Sequence, residues 1–192
     1  MKGIRHGVKK MKQPTKHVFS YNIFLIGFMG SGKSAISDYL SEHYAMEKIE
    51  MDDQIAHREG MSISEIFDTH GEEYFRNLET GLLIELEDKK NVVVSCGGGT
   101  PMRENNVRQM KKTGKIVWLT ADPETIYERV KDSDDRPLLK GHKNTAYISQ
   151  LMQQRRPKYE AAADLTIATD GKERAAICEE LIQKLTEWEK QI

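Results

Sequence analysis

Gly27-Phe28-Met29-Gly30-Ser31-Gly32-Lys33-Ser34 places three glycines, a lysine and a hydroxyl at the spacing that holds a polyphosphate. Glycines admit positive φ and let backbone N–H groups close on an anion. Lys33 can reach the terminal phosphates, and the Ser34 hydroxyl can sit on Mg²⁺. The apolar run 23–26 before the octet has strand length and composition. Ala35 to Leu40 continues as a helix whose N-terminal dipole points at the phosphates. ATP or GTP binding is the first expectation, carried by Gly30, Ser31, Gly32, Lys33, Ser34 and Ala35.

A second group of residues could do chemistry beside that loop. Glu50 and Asp52 flank Met51 at the end of a short apolar-polar alternation. Read as a strand over 47–52, it puts both carboxylates on one face, about 7 Å apart. In an open parallel sheet the C-terminal strand ends form the ligand crevice, so both acids are expected to face the phosphates. Asp53 is a candidate cap for the next helix. The buried-looking strand Val92-Val93-Val94-Ser95 ends in Gly97-Gly98-Gly99, which permits close approach of backbone to a ligand. Many phosphate-loop proteins carry a Mg²⁺-directed Asp at the end of this kind of strand. Ser95 stands here instead, which leaves Glu50 or Asp52 to supply that acid. Arg76 and Glu79 share a helix face; spacing alone reads them as a surface ion pair. Arg136 is the one arginine of a polar stretch from Asp132 to Asn144, of a length that often forms a lid.

These residues need a scaffold. The chain of 192 residues fits one domain. Strand patterns alternate with helical ones: a helix from Asp53 to Arg58, a capping box at Ser62–Glu65, a break at Gly71, and a long helix over 72–88. Further helices are expected over 103–112, from Pro123 (capped by Asp122) to Lys131, after Asn144 until Pro157, and from Lys172 onward. With strands over 115–120 and 165–168, the order predicts a three-layer α/β domain with five mostly parallel strands. Residues 1–17 hold six basic residues and no acid. Residues 1–18 read as a disordered basic leader and 19–192 as the domain. No apolar stretch follows those charges, which disfavours a targeting role.

Composition narrows the class. A net charge of −1 argues against nucleic acid or an anionic membrane as partner. The two cysteines, Cys96 and Cys178, make no disulfide framework, so a cytoplasmic setting is expected. The six histidines show no metal-ligand spacing. No guanine-reading Asn-Lys-x-Asp run occurs, which excludes a regulatory GTPase. A small domain with a lid and isolated arginines suits a small-molecule kinase acting on an anion, because an arginine fork holds a carboxylate at two points.

From about Asn22 onward the whole pattern resembles the shikimate kinase family. The carrying pieces are GFMGSGKS at 27–34, the acids around Met51, GMSISEIF at 60–67, GEEYFRNLE at 71–79, GGGT at 97–100, DRPLL at 135–139 and RRPKYE at 155–160. The resemblance implies transfer of the ATP γ-phosphoryl group to the 3-hydroxyl of shikimate by a phosphate-loop kinase, on the route to chorismate. It implies that Lys33 and Ser34 hold the phosphates and Mg²⁺. Asp52 binds the substrate hydroxyls and accepts the proton. Arg76 and Arg155 clamp the carboxylate, with Glu79 orienting Arg76. Gly97, Gly98 and Gly99 lie against the ring. Arg136 closes on the transferring phosphate, and Arg129 lies near the adenine. The family has Asp-x-Asp where this chain has Glu50-Met51-Asp52, so Glu50 is one methylene longer as a metal-site residue. Shikimate is the expected partner, and a monomer the expected state. The rival readings are a kinase for another polyol or acid such as gluconate, and a non-catalytic nucleotide-binding module.

Overall fold

The computed structural model describes residues 18–132 and 144–191. The basic leader, Arg136 and the DRPLL motif lie outside the described residues. Five strands form one sheet in the order β2-β3-β1-β4-β5, with β1 Asn22–Ile26, β2 Glu47–Glu50, β3 Val92–Ser95, β4 Gly114–Thr120 and β5 Leu165–Ala168. Every pairing is parallel; β1 is central, with Leu25 opposite Ser95 on one side and Val117 on the other. The alternation of strand and helix dictates this, since each parallel return needs a crossover.

Helices cover both faces. Helices α1 (Lys33–Tyr44) and α7 (Arg174–Glu189) press Ile36, Leu40, Ile177, Leu181 and Leu185 onto Ile23, Leu25, Val117 and Ile167. Helices α2 (Met51–Glu59), α3 (Ile63–Glu85), α4 (Glu104–Thr113) and α6 (Thr145–Ala162) close the other face, where Phe75, Leu82, Met110 and Tyr159 meet Phe24, Ile26 and Val94. Each such buried side chain contributes about 1.5–3 kcal/mol. Helix α5 (Pro123–Val130) packs Ile126 and Val130 against Phe28 of the phosphate loop and Ile148 of α6. The capping box at Ser62 and Glu65 is present, as is the Asp122–Pro123 helix start. Both cysteines are free thiols and buried. No helix among the described residues is long and apolar enough to cross a membrane.

Three expectations need correction. Strand β2 ends at Glu50, and Met51 opens α2. The two acids therefore do not alternate on one strand: Glu50 is the last strand residue and Asp52 sits in the first helical turn. Asp53 is also in that turn and caps nothing; the cap position belongs to Glu50. Gly71 (φ 81, ψ 170) leaves the helical path as expected, so the span Ile63–Glu85 is two helical pieces that meet at a kink there. Helix α6 runs through Pro157 to Ala162. An internal proline costs a backbone bond, about 3 kcal/mol; burial of Tyr159 and Ala162 beyond it offsets this loss.

Candidate active site

The phosphate loop leaves β1 and becomes α1. Gly30 has φ 76, and a Cβ there would come within 2.8 Å of Val130 Cγ1. Both facts require glycine. Gly32, also at positive φ, occupies the N-cap of α1, so the free N–H groups of that helix open onto the loop. Lys33 folds back across it, with Nζ donating to the carbonyls of Gly27 (3.0 Å) and Phe28 (3.1 Å). Arg129 of α5 donates to Gly30 O at 3.0 Å and to the Thr169 hydroxyl at 3.1 Å. It thereby ties the loop to the segment after β5.

The acids converge on the same place. Ser34 Oγ donates to Glu50 Oε2 at 3.1 Å, and Ser37 Oγ to Glu50 Oε1 at 2.7 Å. The longer side chain thus spans the gap from β2 to α1. A hydroxyl beside a carboxylate at the mouth of a phosphate loop is a hard-oxygen donor set, which fits Mg²⁺. A cleft of about 220 Å³ joins Gly30, Gly32, Lys33, Ser34 and Ala35 to Glu50, Asp52, Gly97 and Gly98. Ser31 is buried in the loop and does not line that cleft.

On the far side of the cleft the triglycine segment presses against charged groups. A Cβ on Gly97 would lie 2.8 Å from Asp52 Oδ1 and 2.9 Å from Glu79 Oε1. One on Gly99 would overlap the Arg76 guanidinium. Arg76 donates from Nη1 to Glu79 Oε2 at 2.7 Å and from Nη2 to Glu72 Oε1 at 2.9 Å. Glu79 is fully buried and Glu72 largely exposed. The pair is thus no surface salt bridge. Burial pushes the Glu79 carboxyl above the usual range, Arg76 and Thr100 pull it back, and the charge of Asp52 adds to the upward push. Burial works against the Arg76 charge, but Glu79 and Glu72 outweigh it and hold the guanidinium more basic than usual.

Arg155 lies against the same glycine segment. Its guanidinium carbon stands 5.9 Å from the Phe28 ring centre, and its Nη1 would lie 3.7 Å from a Cβ on Gly98. Four residues past it on α6, Tyr159 Oη donates to Gly98 O at 2.6 Å, and burial pushes this phenol up to about 12. The described residues therefore bring Lys33, Ser34, Glu50, Asp52, Gly97 and Gly98 around one cleft, and place Arg76 and Arg155 against the triglycine segment. Arg136 lies outside the described residues.

A sequence model of the family described as shikimate kinase matches residues 29–186. The chain belongs to the shikimate kinase family. It is 42% identical to the shikimate kinase of Persephonella marina over 85% of this chain and 98% of that one. With the shikimate kinase of Dehalococcoides mccartyi (strain BAV1) the identity is 39% over 88% and 95%. Among solved structures, the Acinetobacter baumannii shikimate kinase in complex with shikimate superposes with a TM-score of 0.81 at 30% identity. That match covers 87% of this chain and 93% of the other. The Aquifex aeolicus shikimate kinase gives a TM-score of 0.73 at 38% identity, over 86% and 96%.

Sequence reasoning singled out none of Thr100, Tyr159 and Glu72, which bond to Glu79, Gly98 and Arg76 respectively. Of these, Thr100 left a faint signal: a β-branched hydroxyl straight after three glycines. Gly99 makes a sharp prediction. An alanine methyl there overlaps a guanidinium that Glu79 and Glu72 hold, and so pushes it off its partners. Gly99→Ala is therefore expected to lower the melting temperature, by straining the buried Arg76–Glu79 pair, and to raise the shikimate KM about 10- to 100-fold, the effect of misplacing a binding group by about 1 Å. Steady-state kinetics with a thermal melt checks both halves.

Proposed function

We propose that this chain transfers the γ-phosphoryl group of ATP to the 3-hydroxyl of shikimate, giving ADP and shikimate 3-phosphate. The observation that supports the proposal is a cleft lined by Lys33, Ser34, Glu50, Asp52, Gly97 and Gly98, with Arg76 and Arg155 against the same glycine segment. Arg76 and Arg155 hold the substrate carboxylate, which takes the fork position that exposed Glu72 holds here. Gly97, Gly98 and Gly99 support the ring. Asp52 orients the 3-hydroxyl and takes its proton as the oxygen attacks phosphorus and the bond to the β-phosphate oxygen breaks.

Phosphoryl transfer needs positioning and charge neutralisation more than covalent help. Lys33 supplies a cation at the γ-phosphate, and we assign Arg136 the same task from the segment after α5. Arg129 lies against the adenine side. Gly30, Ser31, Gly32 and Ala35 frame the phosphates through their backbone. Ser34 and Glu50 would hold Mg²⁺, which when bound neutralises phosphate charge. We assign the whole activity to residues 19–192 acting as a cytoplasmic monomer, with no nucleic acid or membrane partner.

A gluconate kinase reading has one point of support, a fold likeness at a TM-score of 0.59 and 17% identity to a Sinorhizobium meliloti gluconokinase. That likeness concerns the fold alone. An acceptor panel read by ADP release tests the choice. Turnover is expected on shikimate and not on gluconate or on shikimate methyl ester, whose carboxylate is masked. ATP binding without turnover on any acceptor would favour the non-catalytic module. A methyl ester that binds as well as the acid would remove the arginine clamp.

A further inference from the structure

The residue that follows the triglycine segment is tied to the clamp from behind. Thr100 opens a 3-10 turn over Thr100–Met102, with its N–H donating to Gly97 O at 3.0 Å. It is fully buried. Its Oγ1 donates to Glu79 Oε1 at 2.5 Å, while the other oxygen of that carboxylate accepts from Arg76. One buried carboxylate is thus shared between a substrate-facing guanidinium and a hydroxyl from the loop. The backbone of Thr100 is held too: its carbonyl accepts from Asn106 Nδ2 at 3.1 Å, and Asn106 Oδ1 lies 2.6 Å from the Thr80 hydroxyl of α3.

We infer that Thr100 is a positioning residue for substrate binding: its hydroxyl fixes the Glu79 carboxylate, and through it the Arg76 fork, at the place the substrate carboxylate docks. A carboxylate with a single partner can rotate about its terminal torsion, which is broad; a second donor on the opposite oxygen stops that rotation. A hydroxyl that donates also favours the charged carboxylate, and the charged form is what holds a guanidinium. Thr100 thereby couples the ring-supporting loop to the carboxylate clamp, so the two halves of the acceptor site move as a unit.

The inference rests on the proposed activity, and the first measurement separates the two: wild-type turnover on shikimate establishes the activity before any variant is read. Thr100→Val keeps the shape and removes the hydroxyl. It is expected to raise the shikimate KM about tenfold, the loss of one hydrogen bond to a charged group, while the KM for ATP stays within twofold and kcat falls less than the shikimate KM rises. Thr100→Ser is expected to restore wild-type values within twofold. In a Glu79→Gln background the same Val replacement is expected to add less than twofold, because the carboxylate it acts through is gone. An unchanged shikimate KM in Thr100→Val overturns the inference. So does a rise that Ser fails to rescue, or one that multiplies in full onto Glu79→Gln. Should the Val protein not fold, Thr100→Ala in both backgrounds reads the same coupling.

Discussion

Asp52→Asn is expected to lower kcat on shikimate by about 10²- to 10³-fold, with the KM for ATP unchanged and the KM for shikimate within a few-fold. Asparagine has the same size and still accepts a hydrogen bond through its amide oxygen, so the acceptor hydroxyls stay bound. It cannot take a proton or offer full negative charge to the attacking oxygen. The position supports a role in the chemical step. Asp52 lines the same cleft as Lys33 and Ser34, and its Oδ1 lies 2.8 Å from where a Gly97 Cβ would stand, against the backbone assigned to the ring. A loose transition state asks little of a base, which is why the expected loss is that of one preorganised contact. Single-turnover kinetics at saturating ATP and shikimate measures it; a kcat within a factor of about three of wild type would take Asp52 out of the chemistry.

What the sequence made legible was whatever depends on backbone and on period. The phosphate loop follows from glycines at positions of positive φ, and the five strands and most helices follow from alternation and caps. Side-chain burial was less legible. Arg76 and Glu79 at i and i+3 read as solvated, because spacing says which residues share a face and not what covers it; here the loop 97–100 covers it. The boundary at Met51 was misread because three residues of alternation fit a strand's end and a helix's start equally. Pro157 read as a stop because its cost is local, while the burial of Tyr159 that outweighs it is tertiary. Glu50 shows the opposite case: the extra methylene raised a question of reach, and the hydroxyls of Ser34 and Ser37 answer it by holding both its oxygens.

Arg76→Ala is expected to cut kcat/KM for shikimate by about 10²- to 10³-fold, the cost of truncating one partner of a hydrogen-bonded charge pair, and to do so mainly through KM. It should also cost stability, and that second effect identifies the cause. Removing Arg76 strands Glu79, which is fully buried, with a carboxylate that has lost its cation; breaking a buried pair in this way costs about 3–5 kcal/mol. The Glu79 carboxyl, already raised above 4.5 by burial, is then pushed further up. A group whose folded pKa lies above its unfolded value stabilises the fold below the unfolded value and loses that contribution as pH rises through the folded one. The deficit of Arg76→Ala in denaturant unfolding should therefore be smallest near pH 4.5 and grow toward pH 8. In Arg76→Ala/Glu79→Gln the carboxylate is gone, so most of the stability should return at pH 8 while the shikimate KM stays high. A deficit that ignores pH, or a double variant that regains substrate affinity along with stability, would mean that Arg76 acts through packing alone and that the carboxylate of the substrate is held elsewhere.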